Sequence, residues 1–163
     1  MDTTPPEPAQ TYLQLRSRTL SLNPAEVGLS PSTAAPHVWA VLMETGYTVG
    51  SATLICLADG TTSLYYSTGG GMLGSGEYTP VAEASKALVV QAQNHLQDMS
   101  SAHEFPLPEA SQVRFTFLTY SGIVTAEVSE KTLASGKHPL SSLFTLAYET
   151  LTQLRLLSEK KHR

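Results

Sequence analysis

Two short segments, Val38 to Met43 and Ala52 to Leu57, carry apolar side chains on both alternating faces. A strand of that kind has to be covered on both sides, so the chain is predicted to build a sheet with interior strands and helices as cover. Glu44 to Gly50, with two glycines, reads as the loop between them. Asp59-Gly60 then separates the second run from Ser63-Leu64-Tyr65-Tyr66, a hairpin signal that pairs Ile55 with Leu64 and Leu54 with Tyr65. A second hairpin turning at Ser121-Gly122 sets Phe115 beside Val128 and Phe117 beside Ala126, with Arg114, Thr116, Thr125 and Glu127 sharing the wetter face.

Helical spacing supplies the cover. Val81, Ala84, Leu88, Ala92, Leu96 and Met99 recur at that spacing behind Thr79-Pro80, which predicts a helix over Thr79 to Met99. Asn23-Pro24-Ala25-Glu26, with Gly28 to stop it, predicts one capped turn. Thr11 to Leu22 fits period two about as well as a helix and is read as a short helix. The last helix is predicted from Pro139 to about Ser158, and its apolar residues span roughly 200° of circumference, about twice the stripe that sitting on a sheet requires. That surplus suggests a second subunit as cover, with Leu146, Leu156 and Leu157 as the dimer contact.

The expected fold is therefore α+β, a single-layer antiparallel sheet of about five strands with amphipathic helices in the order (α)βββαββα. Residues 1–9, which hold three of the ten prolines and little to bury, are expected to be a disordered lead, and residues 10–163 to form one domain. The element order is similar to the secretion-chaperone fold, and is one strand shifted from the roadblock and longin group of dimeric scaffold domains. Neither resemblance comes with a residue motif, so it carries no function over.

Only 15% of residues are charged, against about 25% in an average protein. Eighteen serines and nineteen threonines give a surface that is polar yet easily desolvated. With a net charge of −4 and no basic cluster before Lys160-Lys161-His162-Arg163, no nucleic-acid partner is expected. That run complements the negative end of the last helix. The N-terminal residues lack the pattern of a secretory signal, no segment has membrane-spanning length, and Cys56 is the lone cysteine. A cytoplasmic location without membrane contact is expected.

The densest candidate for chemistry is the stretch from Gly69 to Gly76, with five glycines in eight residues. Ordering so much glycine is entropically costly, so Gly69, Gly70, Gly71, Gly74, Ser75, Gly76 and Tyr78 are taken as the candidate ligand or partner loop. Gly69, Gly71 and Gly74 formally satisfy G-x-G-x-x-G, but that motif needs a strand feeding directly into a helix, and here the helix waits until Pro80. Walker A and the nucleophile elbow G-x-S-x-G both fail at their glycines. The five histidines are scattered without ligand spacing, so no metal or cofactor is expected. His95 reads as a hydrogen-bonded core histidine and Cys56 as an inert buried thiol. The expected function is a non-catalytic protein-interaction or scaffold module, a homodimer or a partner of another protein. The alternative is a small-molecule or anion-binding domain, possibly an enzyme, using residues 69–76 and the start of the following helix.

Overall fold

The computed structural model describes residues 7–74 and 78–161. One antiparallel sheet carries strands β1 (Val38–Tyr47), β2 (Gly50–Leu57), β3 (Thr62–Tyr66), β4 (Gly71–Gly74), β5 (Ser100–Ser101), β6 (Gln112–Thr119) and β7 (Gly122–Ser129). They lie in the spatial order β4-β3-β2-β1-β6-β7-β5. Helices α1 (Gln10–Leu20), α2 (Thr79–Ala92), α3 (Glu130–Ala134) and α4 (Ser141–Lys161) complete the domain. The α+β class with an antiparallel sheet is as expected. The count of five strands is not: β4 arises from the glycine stretch and β5 from a pair of serines, sequences of low strand propensity that the neighbouring strands pull into register.

The doubly apolar runs occupy the interior. β1 is buried from Val38 to Gly46, and β2 from Ser51 to Leu57. The predicted loop at Glu44 is instead the continuation of β1, which pairs Tyr47 with Gly50 and leaves a two-residue turn at Thr48-Val49. The first hairpin is also shifted by one residue, pairing Leu54 with Leu64 and Thr53 with Tyr65. Gly60 adopts φ +95° and donates its amide to Leu57, while the Leu57 amide donates to Thr61, so the loop is three residues long. A three-residue loop with a left-handed third residue moves the register by one and so exchanges the faces. The second hairpin pairs Phe115 with Ala126 and Phe117 with Val124, a shift of two residues that leaves every side chain on its expected face.

One face of the sheet is the main core. Val41, Met43, Leu54, Cys56, Leu64, Phe115 and Phe117 pack there under α2 and α4. The helix expected to reach Met99 is α-helical only to Ala92 and tightens into a 3-10 turn over Gln93–Asp98. α4 begins two residues later than expected, after α3, which the hydrophobic pattern did not announce.

The opposite face is half apolar and half polar. Trp39, Ala40, Leu42, Ile55, Leu57 and Leu118 pack there with Leu20, Leu22 and Leu29 from the N-terminal segment. Further along the same strands, α1 lowers Tyr12 and Arg16 onto buried Glu44. Arg16 donates from Nε and Nη2 to the two Glu44 oxygens at 2.6 and 2.9 Å, and from Nη2 to the Phe105 carbonyl at 2.7 Å. Thr53 donates to Glu44 at 2.7 Å and stands 2.7 Å from the Tyr12 hydroxyl. The expected short helix is thus present, anchored by a buried ion pair that links residues 28 apart in the chain. The capped turn at Asn23 forms as predicted, with its side chain accepting from Ala25 and Glu26 returning to the Asn23 amide.

Candidate functional site

An opening suited to a ligand or partner lies where α4 overhangs strands β1 to β4. α4 buries Leu140, Leu143, Ala147, Leu154 and Leu157 against the core. At 100° per residue, Leu151 lies at the edge of that stripe, and Tyr148 and Arg155 fall beside it. These three and Thr152 form one wall of a cleft of about 370 Å³. Met43, Leu54, Leu64 and Met72 supply an apolar floor from four successive strands, because alternate residues of antiparallel neighbours share a face.

Tyrosines rim the cleft. Tyr47, Tyr66 and Tyr148 remain 44%, 37% and 38% exposed. Phe144 steadies Tyr148 edge to face, with ring centroids 4.7 Å apart. Burial pushes the Tyr47 and Tyr148 hydroxyls above the usual phenol range, and the Glu130 carboxylate adds to both shifts. At neutral pH they are therefore hydrogen-bonding groups and not anions. Among the described residues, Arg155 is the one cation lining the cleft; its side chain is 62% exposed and meets Glu159 at 3.1 Å. Such a site can take an apolar or aromatic group into its floor and orient it by hydroxyls and one positive charge.

The glycine stretch lies at the same end of the sheet. Gly69 and Gly70, at φ +107° and +81°, form the turn between β3 and β4, and the Gly69 amide is spent on the Tyr66 carbonyl. Gly71 has no room for a side chain, since a Cβ there would overlap the Leu64 carbonyl. Gly74 closes β4 opposite Thr62, while Ser75 and Gly76 lie outside the described residues. The described glycines therefore serve a hairpin. A second cavity of about 240 Å³, between this turn and α1, is lined by Leu15, Tyr65 and Tyr66 together with Gly69 to Gly71. Tyr66 thus belongs to both openings. Tyr78 precedes α2, accepts the Ala82 amide, and has Lys160 Nζ 5.9 Å from its ring centre.

Of the residues assigned to a dimer contact, Leu156 is 42% exposed, Leu157 is 9% exposed, and Leu146 is partly buried against the core. Sequence reasoning had no means of finding Tyr47, Tyr148 or Arg155, which only the tertiary fold brings there. Cys56 is fully buried and burial pushes its thiol up to about 12, with hydrogen bonds to Ser85 and Thr150 opposing the rise. His95 is hydrogen bonded to Asp98 at 3.0 Å and to Gln91 at 3.2 Å. Among the described residues, no group of three His, Cys, Asp or Glu side chains is placed to hold a metal, and no helix is long and apolar enough to cross a membrane. In comparisons with known proteins, no family model, no curated protein and no solved structure matches the chain.

Proposed function

We propose that the chain is a non-catalytic protein-interaction module that takes an apolar or aromatic segment of a partner into the cleft between α4 and the sheet. The observation that carries this reading is the cleft itself, an open apolar floor ringed by three half-exposed tyrosines. Aromatic residues of that exposure are enriched at interaction surfaces, where their rings add contact area at little entropic cost. The low surface charge acts in the same direction. Self-association belongs to the same proposal, through Leu156 on the outward side of α4.

Two measurements test it. Light scattering should give a dimer mass for the chain and a monomer mass for Leu156→Arg; a monomer at every concentration removes the homodimer. Anilinonaphthalene sulfonate should fluoresce with the chain and several-fold less with Tyr148→Arg. Equal fluorescence from the two would remove the cleft as the docking site.

The cavity beside Gly69 to Gly71 favours a second reading, a small-molecule site between the β3–β4 turn and α1. Thermal-shift screening addresses it, because a ligand present at a hundred times its dissociation constant adds about 2.7 kcal/mol of stability.

A further inference from the structure

The floor of the cleft is a straight row. Met43 pairs with Leu54, Leu54 with Leu64, and Leu64 with Met72, so four apolar side chains stand side by side across β1 to β4. Three strand spacings of roughly 4.8 Å make that row about 14 Å long. Thr45, Ala52 and Tyr66 form a second row beside it and also line the cleft. The row on the other side, Val41, Cys56 and Thr62, is covered, because Ser85 of α2 hydrogen-bonds Thr62 and Thr150 of α4 hydrogen-bonds Cys56. α4 runs along these rows. It starts against α3, where Ser141 donates to the Leu133 carbonyl, and ends beyond β4, where Lys160 stands over the Tyr78 ring. Tyr148, Leu151, Thr152 and Arg155, at i, i+3, i+4 and i+7, therefore form a wall about 10.5 Å long parallel to the floor. α2 packs on one flank of α4, and the cleft is the other flank, a third helix seat on the same sheet face.

The lining decides what form the occupant takes. An extended segment laid across the strands would hold its N–H and C=O groups over methionine and leucine side chains, with too few partners to satisfy them. Strand addition requires a sheet edge, and this trough crosses a face. A helix satisfies its own backbone, and its apolar residues at i, i+3 and i+7 match the length of the wall. The two ends of the trough differ in charge. The Glu130 carboxylate acts on both Tyr47 and Tyr148 at the β1 end, and Arg155 stands toward the β4 end. Arg155 is free to take a new partner, since its exposed pairing with Glu159 one turn away is weak. A helix whose positive N-terminus lies by Glu130 and whose negative C-terminus lies by Arg155 complements both ends. The described part of the N-terminal lead, Glu7 to Ala9, does not line the cleft, and residues 1–6 of it lie outside the described residues.

We propose that the cleft receives an amphipathic helix of a partner protein, seated beside α4 and parallel to it, with three apolar anchors on the Met43–Met72 row and a carboxylate at its C-terminal end on Arg155. The proposal rests on the reading of the cleft as a docking site and names the form, direction and charge of what docks there.

The probe is an alanine-based peptide of about 16 residues, long enough to hold a helix. It carries leucines at its fifth, eighth and twelfth positions, lysine at its second and glutamates at its last two. Added to the full chain, it should shift the Met43 and Met72 methyl signals, which mark the two ends of the trough. A nitroxide on the peptide's N-terminus should broaden Met43 more than Met72, and one on its C-terminus the reverse. Arg155→Glu should weaken binding about fivefold, the upper end for an exposed ion pair, and lysines in place of the two terminal glutamates should restore it. A proline at the centre of the peptide should abolish binding. Equal binding by the proline peptide, the opposite order of broadening, or an affinity unchanged by Arg155→Glu overturns the inference. Shifts of the same methyls on concentrating the chain alone would make a second copy the occupant and overturn it as well. If neither peptide binds while anilinonaphthalene sulfonate still distinguishes the chain from Tyr148→Arg, the helix falls and the docking reading stands. If the dye fails to distinguish them too, both fall.

Discussion

Arg16→Met keeps most of the arginine stem and removes only the guanidinium, which isolates what the buried ion pair does. Glu44 is 1% exposed, and after the substitution its carboxylate keeps a single donor, Thr53 at 2.7 Å. Removing one partner of a buried pair costs about 3–5 kcal/mol, and the Phe105 carbonyl, deprived of Arg16, adds on the order of 1 kcal/mol. One neighbour moderates the loss. Arg114 stands directly opposite Glu44 on β6, its Nε is buried without a partner among the described residues, and its present contact with Glu127 is an outer one at 3.2 Å. Turning toward Glu44 would recover part of the attraction, so the expected loss is about 3 kcal/mol, the lower end of the range. With a urea slope of roughly 2 kcal/mol/M, the midpoint should fall by about 1.5 M. Adding Glu44→Leu to Arg16→Met should return the stability to within about 1 kcal/mol of the starting chain, because an apolar pair carries no desolvation penalty. Urea unfolding followed by circular dichroism, with a common slope for all variants, is the assay. A loss below about 1 kcal/mol for Arg16→Met, with no recovery from Glu44→Leu, would refute the reasoning by showing that water reaches Glu44 in solution.

Further substitutions separate effects that look alike in the sequence. Gly70→Ala should cost only about 1–2 kcal/mol, for its left-handed backbone in open space, whereas Gly71→Ala should cost more and unpair β4, because its Cβ meets the Leu64 carbonyl; hydrogen exchange at β3 and β4 distinguishes them. Alkaline unfolding should expose Cys56. The folded chain holds the thiol neutral up to about 12 while the unfolded thiol ionises near 8.5, so between these values the folded state binds more protons and stability falls by about 1.4 kcal/mol per pH unit. Raised Tyr12, Tyr47 and Tyr148 hydroxyls add losses of the same sign above about pH 10, and an alkylation rate for Cys56 equal in native and unfolded chains would contradict this account. Tyr148→Ala should lower stability by about 1 kcal/mol, the worth of its edge-to-face contact with Phe144, while leaving the rest of α4 protected from exchange.

The fold was legible where one local rule sufficed. Continuous apolar runs announced β1 and β2, helical spacing announced α2 and α4, and the Asn23 box announced its capped turn. What escaped depended on partners distant in sequence. Glu44 looked like loop because a carboxylate inside an interior strand makes sense only when Arg16 descends on it from α1. β4 looked like a flexible loop because glycine has no strand preference of its own; the requirement comes from the Leu64 carbonyl beside Gly71. The one-residue slip at Gly60 shows how a bulged turn, invisible in an apolar pattern, exchanges both faces of a hairpin.

Part of the broad apolar surface of α4 is covered within the chain itself. A helix with roughly 200° of apolar circumference exceeds what one sheet face needs, which reads naturally as a site for a second subunit. Leu157 is nonetheless covered within the chain, and Leu146 partly so. Much of the remaining apolar surface lies at Tyr148 and Leu151, on the flank that faces Met43, Leu54 and Met72 across an open cleft. That surface is therefore concave and opposed by the chain's own strands, which suits an inserted segment better than the flat self-complementary patch of a two-fold dimer. Leu156 alone keeps the convex position that a dimer would use. A segment in the cleft and a second copy at Leu156 would occupy separate flanks of one helix, so α4 can serve both without either excluding the other.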